Sequence, residues 1–599
     1  MRLVALDWWI IGLYFALALA LGVYAARRAG KDTKEFFLSG RSMPWWLLGV
    51  SMVATTFSTD TPNLVADIVR QDGVSGNWVW WAFLLTGMLT VFVYAKLWRR
   101  AGVMTDLEFY ELRYSGKPAA FLRAFRALYL GVFFNIVIMA TVTLAAIKIA
   151  GILLGATPLQ TILVAGGVTV AFSALGGLTG VLLTDFLLFF TAMVGSVAAA
   201  VVAVGLPEVG GLDGLLASEA VAGKLSLLPD FSDPSAFVPV LVIPIAVQWW
   251  SVWYPGAEPG GGGYIAQRML SAKDETDATG ATLLFNVAHY ALRPWPWILV
   301  GLASLVVFPT VESIQTAFPN VSDTILGHDL AYPAMLTFLP SGLLGLVVAS
   351  LAAAYMSTMS THLNWGSSYV VHDFWRRFVD PDAGERTLVT VGRATTVLLM
   401  VLAAVLALWL RNALQAFEIL LQIGAGTGLL FILRWFWWRI NAISEITAMV
   451  VSFLVAVWLE LIQPRLYPGL DMDASLKLVI GVGITTAAWV TATYLSRPTA
   501  EGTLRRFYGT ARPGGPGWQR VADRAQADGE PLATDPTDDW TVPEGVLAMT
   551  AGVLAVYAAL FATGYWIYGR TGLAVALTVV AAAAAVTLAR VWGRVAGRR

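Results

Sequence analysis

Residues 49–69 read GVSMVATTFSTDTPNLVADIV, and residues 247–268 read VQWWSVWYPGAEPGGGGYIAQR. Each begins as an apolar, membrane-type helix and then meets residues that such a helix tolerates poorly. In the first, Thr55, Thr56, Ser58, Thr59, Asp60 and Thr61 crowd ahead of Pro62; in the second, Pro255 and Pro259 lead into four consecutive glycines. Proline removes a backbone donor and clashes with the preceding turn, while glycine admits non-helical backbone. In hydrocarbon, irregular backbone survives only where it lines a cavity inside the protein. The pattern predicts two interrupted helices. The plainer alternative is a proline kink in the first and an ordinary loop just past the second.

The surrounding chain supplies the membrane context. Of 599 residues, 57% are hydrophobic and only 13% are charged, and the mean hydropathy is +0.69. The apolar residues gather into runs of about 20, the length that crosses a roughly 30 Å hydrocarbon core as a helix. An all-α polytopic protein embedded in a lipid bilayer is expected, with fifteen spans at 6–26, 45–69, 77–98, 127–154, 157–175, 179–204, 237–258, 281–308, 341–370, 388–409, 412–433, 437–458, 475–496, 545–568 and 572–593. We number them 0 to 14. The first run follows only Arg2, without a small-residue cleavage site, and reads as a retained span. A net charge of zero offers no basic surface for nucleic acid. With no cysteine there are no disulfides, thiol nucleophiles or Cys-ligated metals. Neither paired catalytic carboxylates nor an HExxH motif is found, so no enzymatic activity and no cofactor are expected.

Basic residues set the orientation. Arg27, Arg28, Lys31, Lys34 and Arg41 follow span 0; Lys96, Arg99, Arg100, Arg113, Lys117, Arg123 and Arg126 follow span 2; the connections after spans 6, 8, 10 and 12 are likewise basic, whereas 309–340 contains no Lys or Arg. By the positive-inside rule the N-terminus is outside and the C-terminus cytoplasmic, in a bacterial inner membrane. Residues 497–544 are polar, rich in Pro, Gly, Arg and Asp, and read as a partly disordered cytoplasmic linker to a trailing helix pair that packs or anchors. The expected organisation is a leading helix and loop (1–44), a first five-helix repeat (45–205), a second (206–436), two flanking helices (437–496), the linker (497–544) and two C-terminal helices (545–599).

The two interruptions open consecutive sets of five spans, 1–5 and 6–10. Gly/Pro-broken helices at matching places in two halves point to a transporter's midplane binding site, and an odd number of spans per half inverts the second. Five further stretches carry a family resemblance: EFFLSGRSMPWWLLGVSMVATTFS (35–58), GVMTDLEFYELRY (102–114), ALGGLTGVLLTDFLL (174–188), YIAQRMLSAKDE (264–275) and ASLAAAYMSTMSTHLNWGSSYVVHDFW (349–375). They are similar to segments of the sodium:solute symporter family over roughly residues 6–496. The inserted PGAEPGGGG, the tryptophan-rich span 2 and the long linker with two final spans depart from that pattern. The resemblance implies an inverted five-plus-five core like that of the bacterial leucine transporter, and sodium-coupled uptake of a small organic solute such as a sugar or amino acid. A transporter-fold sensor and a proton-coupled symporter of the same fold are the alternatives.

The resemblance also implies sites. A shared sodium site draws on the carbonyls of Ala54 and Phe57 and on Ala354, Ser357 and Thr358, the last three lying on one face of span 8. The alternative is that the two hydroxyls merely bond back within their own helix. Asp185, a carboxylate inside span 5, is functional by default; with Ser357, Ser360 and Thr361 it forms a second sodium site, or else it simply bonds a neighbouring helix. Candidate solute contacts are Thr56, Ser58, Asp60 and Thr61 at the first break, Trp80 on span 2, Gln248, Trp253 and Tyr254 around the second, and Arg293 on span 7. Sugar-carrying relatives have an acidic residue where Trp80 stands and a lysine near Arg293. The latter is expected either to touch solute or to bridge to Asp60, Glu258 or Glu418. His289 and His362 are expected to fill helix interfaces.

Overall fold

The computed structural model describes residues 3–29, 33–251, 258–410, 424, 426–467, 469–470 and 472–596. Among these, ten helices are long and apolar enough to cross a membrane, and four shorter apolar helices (Ala5–Leu21, Trp45–Thr55, Pro158–Val170 and Pro234–Trp250) lie where spans 0, 1, 4 and 6 are expected. Most of span 10 falls outside the described residues.

The first break is where the sequence puts it. Trp45–Thr55 is one helix, Asp60–Asp72 another, and Thr56–Thr59 separate them. Pro62 has no N–H to offer the Ser58 carbonyl, which accepts instead from the Thr61 amide at 3.3 Å. The second break falls where the glycines are. Among the described residues, Ile243–Ala246 is helical, Gln248–Trp250 form a 3-10 turn, residues 258–262 are not helical, and Gly263–Ser271 is a helix. Gly260 and Gly261 take φ +87° and +91°, where a side chain is disfavoured; a Cβ on Gly260 would also press on the Tyr94 ring at 3.0 Å.

Two connections differ from expectation. The loop expected between spans 4 and 5 is absent as a backbone interruption: Gly167–Val204 is helical throughout. At about 57 Å, such an element exceeds the bilayer if straight, and its contacts show that it is not. Gly195 packs on Val347 and Ser350 and Asp185 meets Ser357, so that stretch runs antiparallel to span 8 in step. Continued straight, Ser173 would pass far beyond Ser360, yet its hydroxyl reaches the Ser360 carbonyl at 3.4 Å. The element bends back between Ser173 and Asp185.

Residues 497–544 are the second correction. They are folded, with helices Glu501–Ala511 and Gln519–Ala527. Phe507 and Trp518 are fully buried and stack on each other at 5.6 Å. Trp518 Nε1 donates to the Trp435 carbonyl at 2.9 Å, and the Arg113 guanidinium lies over both rings. A composition poor in aliphatic residues hid two well-placed aromatic anchors, Phe507 and Trp518. The trailing pair is unequal. Val542–Ile567 packs on spans 2 and 7, with Tyr557 donating to the Trp81 carbonyl and Trp295 to the Leu560 carbonyl, each at 2.8 Å. Thr571–Val595 packs mainly on Val542–Ile567.

If the 497–544 segment is built on this anchor, Trp518→Ala costs about 3–5 kcal/mol, the usual price of a buried aromatic. The expected outcome is a lower melting temperature for the purified protein and new protease cleavage within 497–544; an unchanged melt and digest would refute the docking.

Candidate functional site

The site is assembled where broken span 1 meets span 8. Residues on one face of Leu343–Ser368 point at the Trp45–Thr55 helix and at the bent Gly167–Val204 element. Thr358 donates its hydroxyl to the Thr55 carbonyl at 2.9 Å, and Thr361 shares a hydrogen bond with the Thr55 hydroxyl at 3.2 Å. Ser357 donates to Asp185. Neither Ser357 nor Thr358 bonds back within its own helix in this geometry. Ala54, Phe57, Ala354, Ser357 and Thr358 are all buried along this contact. The Phe57 ring rests on Trp297 at 5.0 Å, and the Ala54 carbonyl accepts the Phe57 amide at 3.0 Å.

Asp185 has a partner that the sequence reading overlooked. Ser51 donates to its second oxygen at 2.5 Å, and the Arg268 guanidinium lies 3.9 Å from the same oxygen, both side chains being completely buried. Arg268 also donates to Ser51 at 3.2 Å and to Thr361 at 2.9 Å. Of the residues expected around a second cation, only Ser357 touches Asp185. Thr361 is engaged by Arg268 and Thr55, and the buried Ser360 hydroxyl has no hydrogen-bond partner. The signal for Arg268 was available: it is a guanidinium on the apolar helix that restarts after a glycine break, where an ionisable group needs a counter-charge.

A second cluster forms on the other side of the first break. Thr56 shares a hydrogen bond with His289 Nδ1 at 3.1 Å, and Arg293 contacts the same nitrogen while its Nη1 donates to the Val53 carbonyl at 3.2 Å. The histidine thus joins Arg293 to span 1 as well as filling an interface; its position one turn before Arg293 on one helix face was the clue. Trp80 stacks on Tyr290 at 5.9 Å and sets its edge against His289 at 5.6 Å. Asp60 and Thr61 are half-buried at the start of the Asp60–Asp72 helix, and Ser58 is buried beside them.

Other expected members stand apart. Gln248 donates to the Val79 carbonyl of span 2 at 2.5 Å. Glu258 is paired with Arg126 and makes no ion pair with Arg293. Trp253, Tyr254 and Glu418 lie outside the described residues.

The model of the family described as "Sodium:solute symporter family" matches residues 36–452. The "Sodium/glucose cotransporter" of Vibrio parahaemolyticus is 26% identical over 482 residues, 78% of this chain and 87% of that protein. The "Sodium/myo-inositol cotransporter 2" of Oryctolagus cuniculus is 27% identical over 489 residues, 76% of this chain and 70% of that protein. Among solved structures, a substrate-bound, outward-open Na+-coupled sialic acid symporter shares the fold, with a TM-score of 0.66 at 20% identity over 83% of this chain and 98% of that one.

The Asp185–Arg268 pair makes a direct prediction. Asp185→Asn strands a fully buried guanidinium and should destabilise the protein by about 3–5 kcal/mol. The double change Asp185→Asn with Arg268→Gln should recover much of that loss in a thermal melt; if the double variant melts no higher than the single one, the pair is not the source of the effect.

Proposed function

The chain belongs to the sodium:solute symporter family, and from that membership we propose that it imports a small organic solute by alternating access, driven by sodium held between spans 1 and 8. Sodium-coupled symport by a multi-pass membrane protein is the family's shared activity. The finer reading adds fifteen crossings in a bacterial inner membrane, two inverted five-helix repeats at spans 1–5 and 6–10, an outside N-terminus and a cytoplasmic C-terminus. Supporting it are the breaks that open both sets and the matching of fourteen described apolar segments to expected spans. The relatives named above carry glucose and myo-inositol, which favours a hydroxylated solute of that size.

The observation that carries the proposal is the Thr358 hydroxyl on the Thr55 carbonyl. Sodium is a hard cation that prefers oxygen ligands, including carbonyls released where a helix unwinds. We assign it to the carbonyls of Ala54, Phe57 and Ala354 with the hydroxyls of Ser357 and Thr358. Entry of the ion turns the Thr358 lone pairs from idle to coordinating and draws the broken helix onto span 8. Ser357 bridges this site to Asp185, and Asp185 with Ser357, Ser360 and Thr361 is a secondary cation position in which Arg268 already supplies one positive charge. The solute is assigned to Thr56, Ser58, Asp60, Thr61, Trp80 and Arg293 at the first break, with Gln248, Trp253 and Tyr254 at the second.

In this cycle sodium binds from outside, fixes the first break and completes the solute site. The membrane potential then contributes about 2.3 kcal/mol per charge per 100 mV to inward movement. Thr358→Ala removes one ligand and should raise the sodium concentration giving half-maximal thermal stabilisation roughly tenfold, the value of one hydrogen bond or ligand contact. The comparison is a sodium titration against choline at constant ionic strength; wild-type protein that melts identically in both salts would sink the sodium reading.

A further inference from the structure

Arg293 is 1% exposed and sits against the broken part of span 1. A guanidinium offers five N–H donors. Here Nη1 donates to the Val53 carbonyl at 3.2 Å and Nη2 reaches His289, while Nε has no acceptor. Trp297 lies beneath it at 5.4 Å. None of these neighbours is a counter-charge, and a buried cation without one is costly.

The contrast with the other buried cations is informative. Arg126, Arg434, Lys148 and Arg268 each face a carboxylate, namely Glu258, Glu445, Asp329 and Asp185. Arg113 is enclosed by the rings of Tyr114, Phe507 and Trp518 and donates to two carbonyls. Arg70 donates to the carbonyls of Ser304 and Phe308. Among the described residues, Arg293 has no carboxylate within ion-pair distance. Asp60, half-buried at the start of the Asp60–Asp72 helix, is the acid whose field reaches it, from beyond ion-pair distance. Arg293 therefore combines burial, a vacant Nε edge and a place at the helix interruption, beside the flat wall of Trp80 and Tyr290.

We propose that Arg293 is the receptor for a carboxylate on the transported solute, so that the cargo is a small hydroxylated organic acid of the sugar-acid type and not a neutral sugar. This rests on the symport reading above and specifies its solute. The carboxylate would take Nε–H and a free Nη–H in a bidentate bond, the geometry for which guanidinium is suited and ammonium is not. It also supplies the missing counter-charge in the state that carries cargo. The sodium ion and the carboxylate then lie on either side of one interrupted helix, and each improves the field that the other meets, a source of coupling that a neutral solute lacks.

The test uses full-length protein in detergent with sodium, and a matched panel: D-glucuronate, D-gluconate and N-acetylneuraminate against D-glucose, myo-inositol and D-glucuronamide. A rise in melting temperature is expected with at least one acid and with none of the neutral compounds, glucuronate against glucuronamide being the cleanest pair because it needs no variant. For the acid that binds, Arg293→Gln should weaken apparent affinity roughly 10- to 100-fold and Arg293→Lys should fall between, as expected for loss of a charged hydrogen-bond pair. Stabilisation by the neutral members, absence of any shift with the acids, or an Arg293→Gln variant with wild-type affinity would each overturn the assignment. Acid binding that is identical in sodium and choline would instead leave Arg293 in place and remove the sodium-coupled reading.

Discussion

Backbone amides inside a bilayer have no water to fall back on, so each interruption of a helix must be paid back with specific partners. Around the first break those partners are hydroxyls. Thr56 donates to the Val53 carbonyl at 2.9 Å, Thr61 to the Thr56 carbonyl at 3.2 Å, Thr59 to the Val142 carbonyl of span 3 at 3.1 Å, and Thr358 of span 8 to the Thr55 carbonyl at 2.9 Å. The threonines that mark the sequence thus do the work of missing amides, and two of these bonds fasten the break to other helices. The second break is held differently. Trp98 Nε1 donates to the Gly260 carbonyl at 2.7 Å and the Gly263 amide donates to Asp106 at 2.9 Å, so the glycine run is clasped by the end of span 2 and the segment after it.

Buried charge obeys the same accounting. The interior holds Arg126, Arg268 and Arg434 with their carboxylates, and such pairs are retained at a cost in desolvation that apolar residues would avoid. Their placement is informative. Arg126–Glu258 joins the start of span 3 to the unwound part of span 6, and Arg268–Asp185 joins the restarted helix of span 6 to span 5. Both tie the segment around the second break to other spans, and ion pairs are sensitive to geometry in a way that apolar contacts are not.

Much of this was legible in the sequence because the relevant signals are local. Proline, glycine and a threonine cluster inside apolar runs locate both breaks, since each acts through its own backbone. Ser357 and Thr358 were expected from the family resemblance, and both hydroxyls bond outside their own helix. The misses are tertiary. Arg268 stands in a quoted motif, yet only the fold brings Ser51, Asp185 and Thr361 around it. The 497–544 segment looked like a linker because its burial rests on a few aromatic anchors, Phe507 and Trp518 above all, which average composition dilutes. The bend between Ser173 and Asp185 keeps helical backbone, so the turn expected there is a curvature in a stretch that contains Gly176, Gly177 and Gly180.

The strength of the bond between spans 1 and 8 bears on how an ion could control it. A hydroxyl donating to a carbonyl, as Thr358 does to Thr55, contributes only about 1 kcal/mol net, because folding exchanges one hydrogen bond for another. Such a contact holds two helices in register without locking them. A sodium ion at the proposed site, taking the Thr358 hydroxyl with neighbouring carbonyls, would bring a full charge into a low-dielectric interior, where its interaction with several aligned carbonyls far exceeds that of the bond it joins. In the proposed cycle the ion would therefore decide whether the break and span 8 stay together, whereas a carboxylate–guanidinium bridge in the same place would have settled the matter permanently. A weak neutral contact at the break, with the buried Arg268–Asp185 pair set just behind it, is an arrangement that would leave the decision to such an ion.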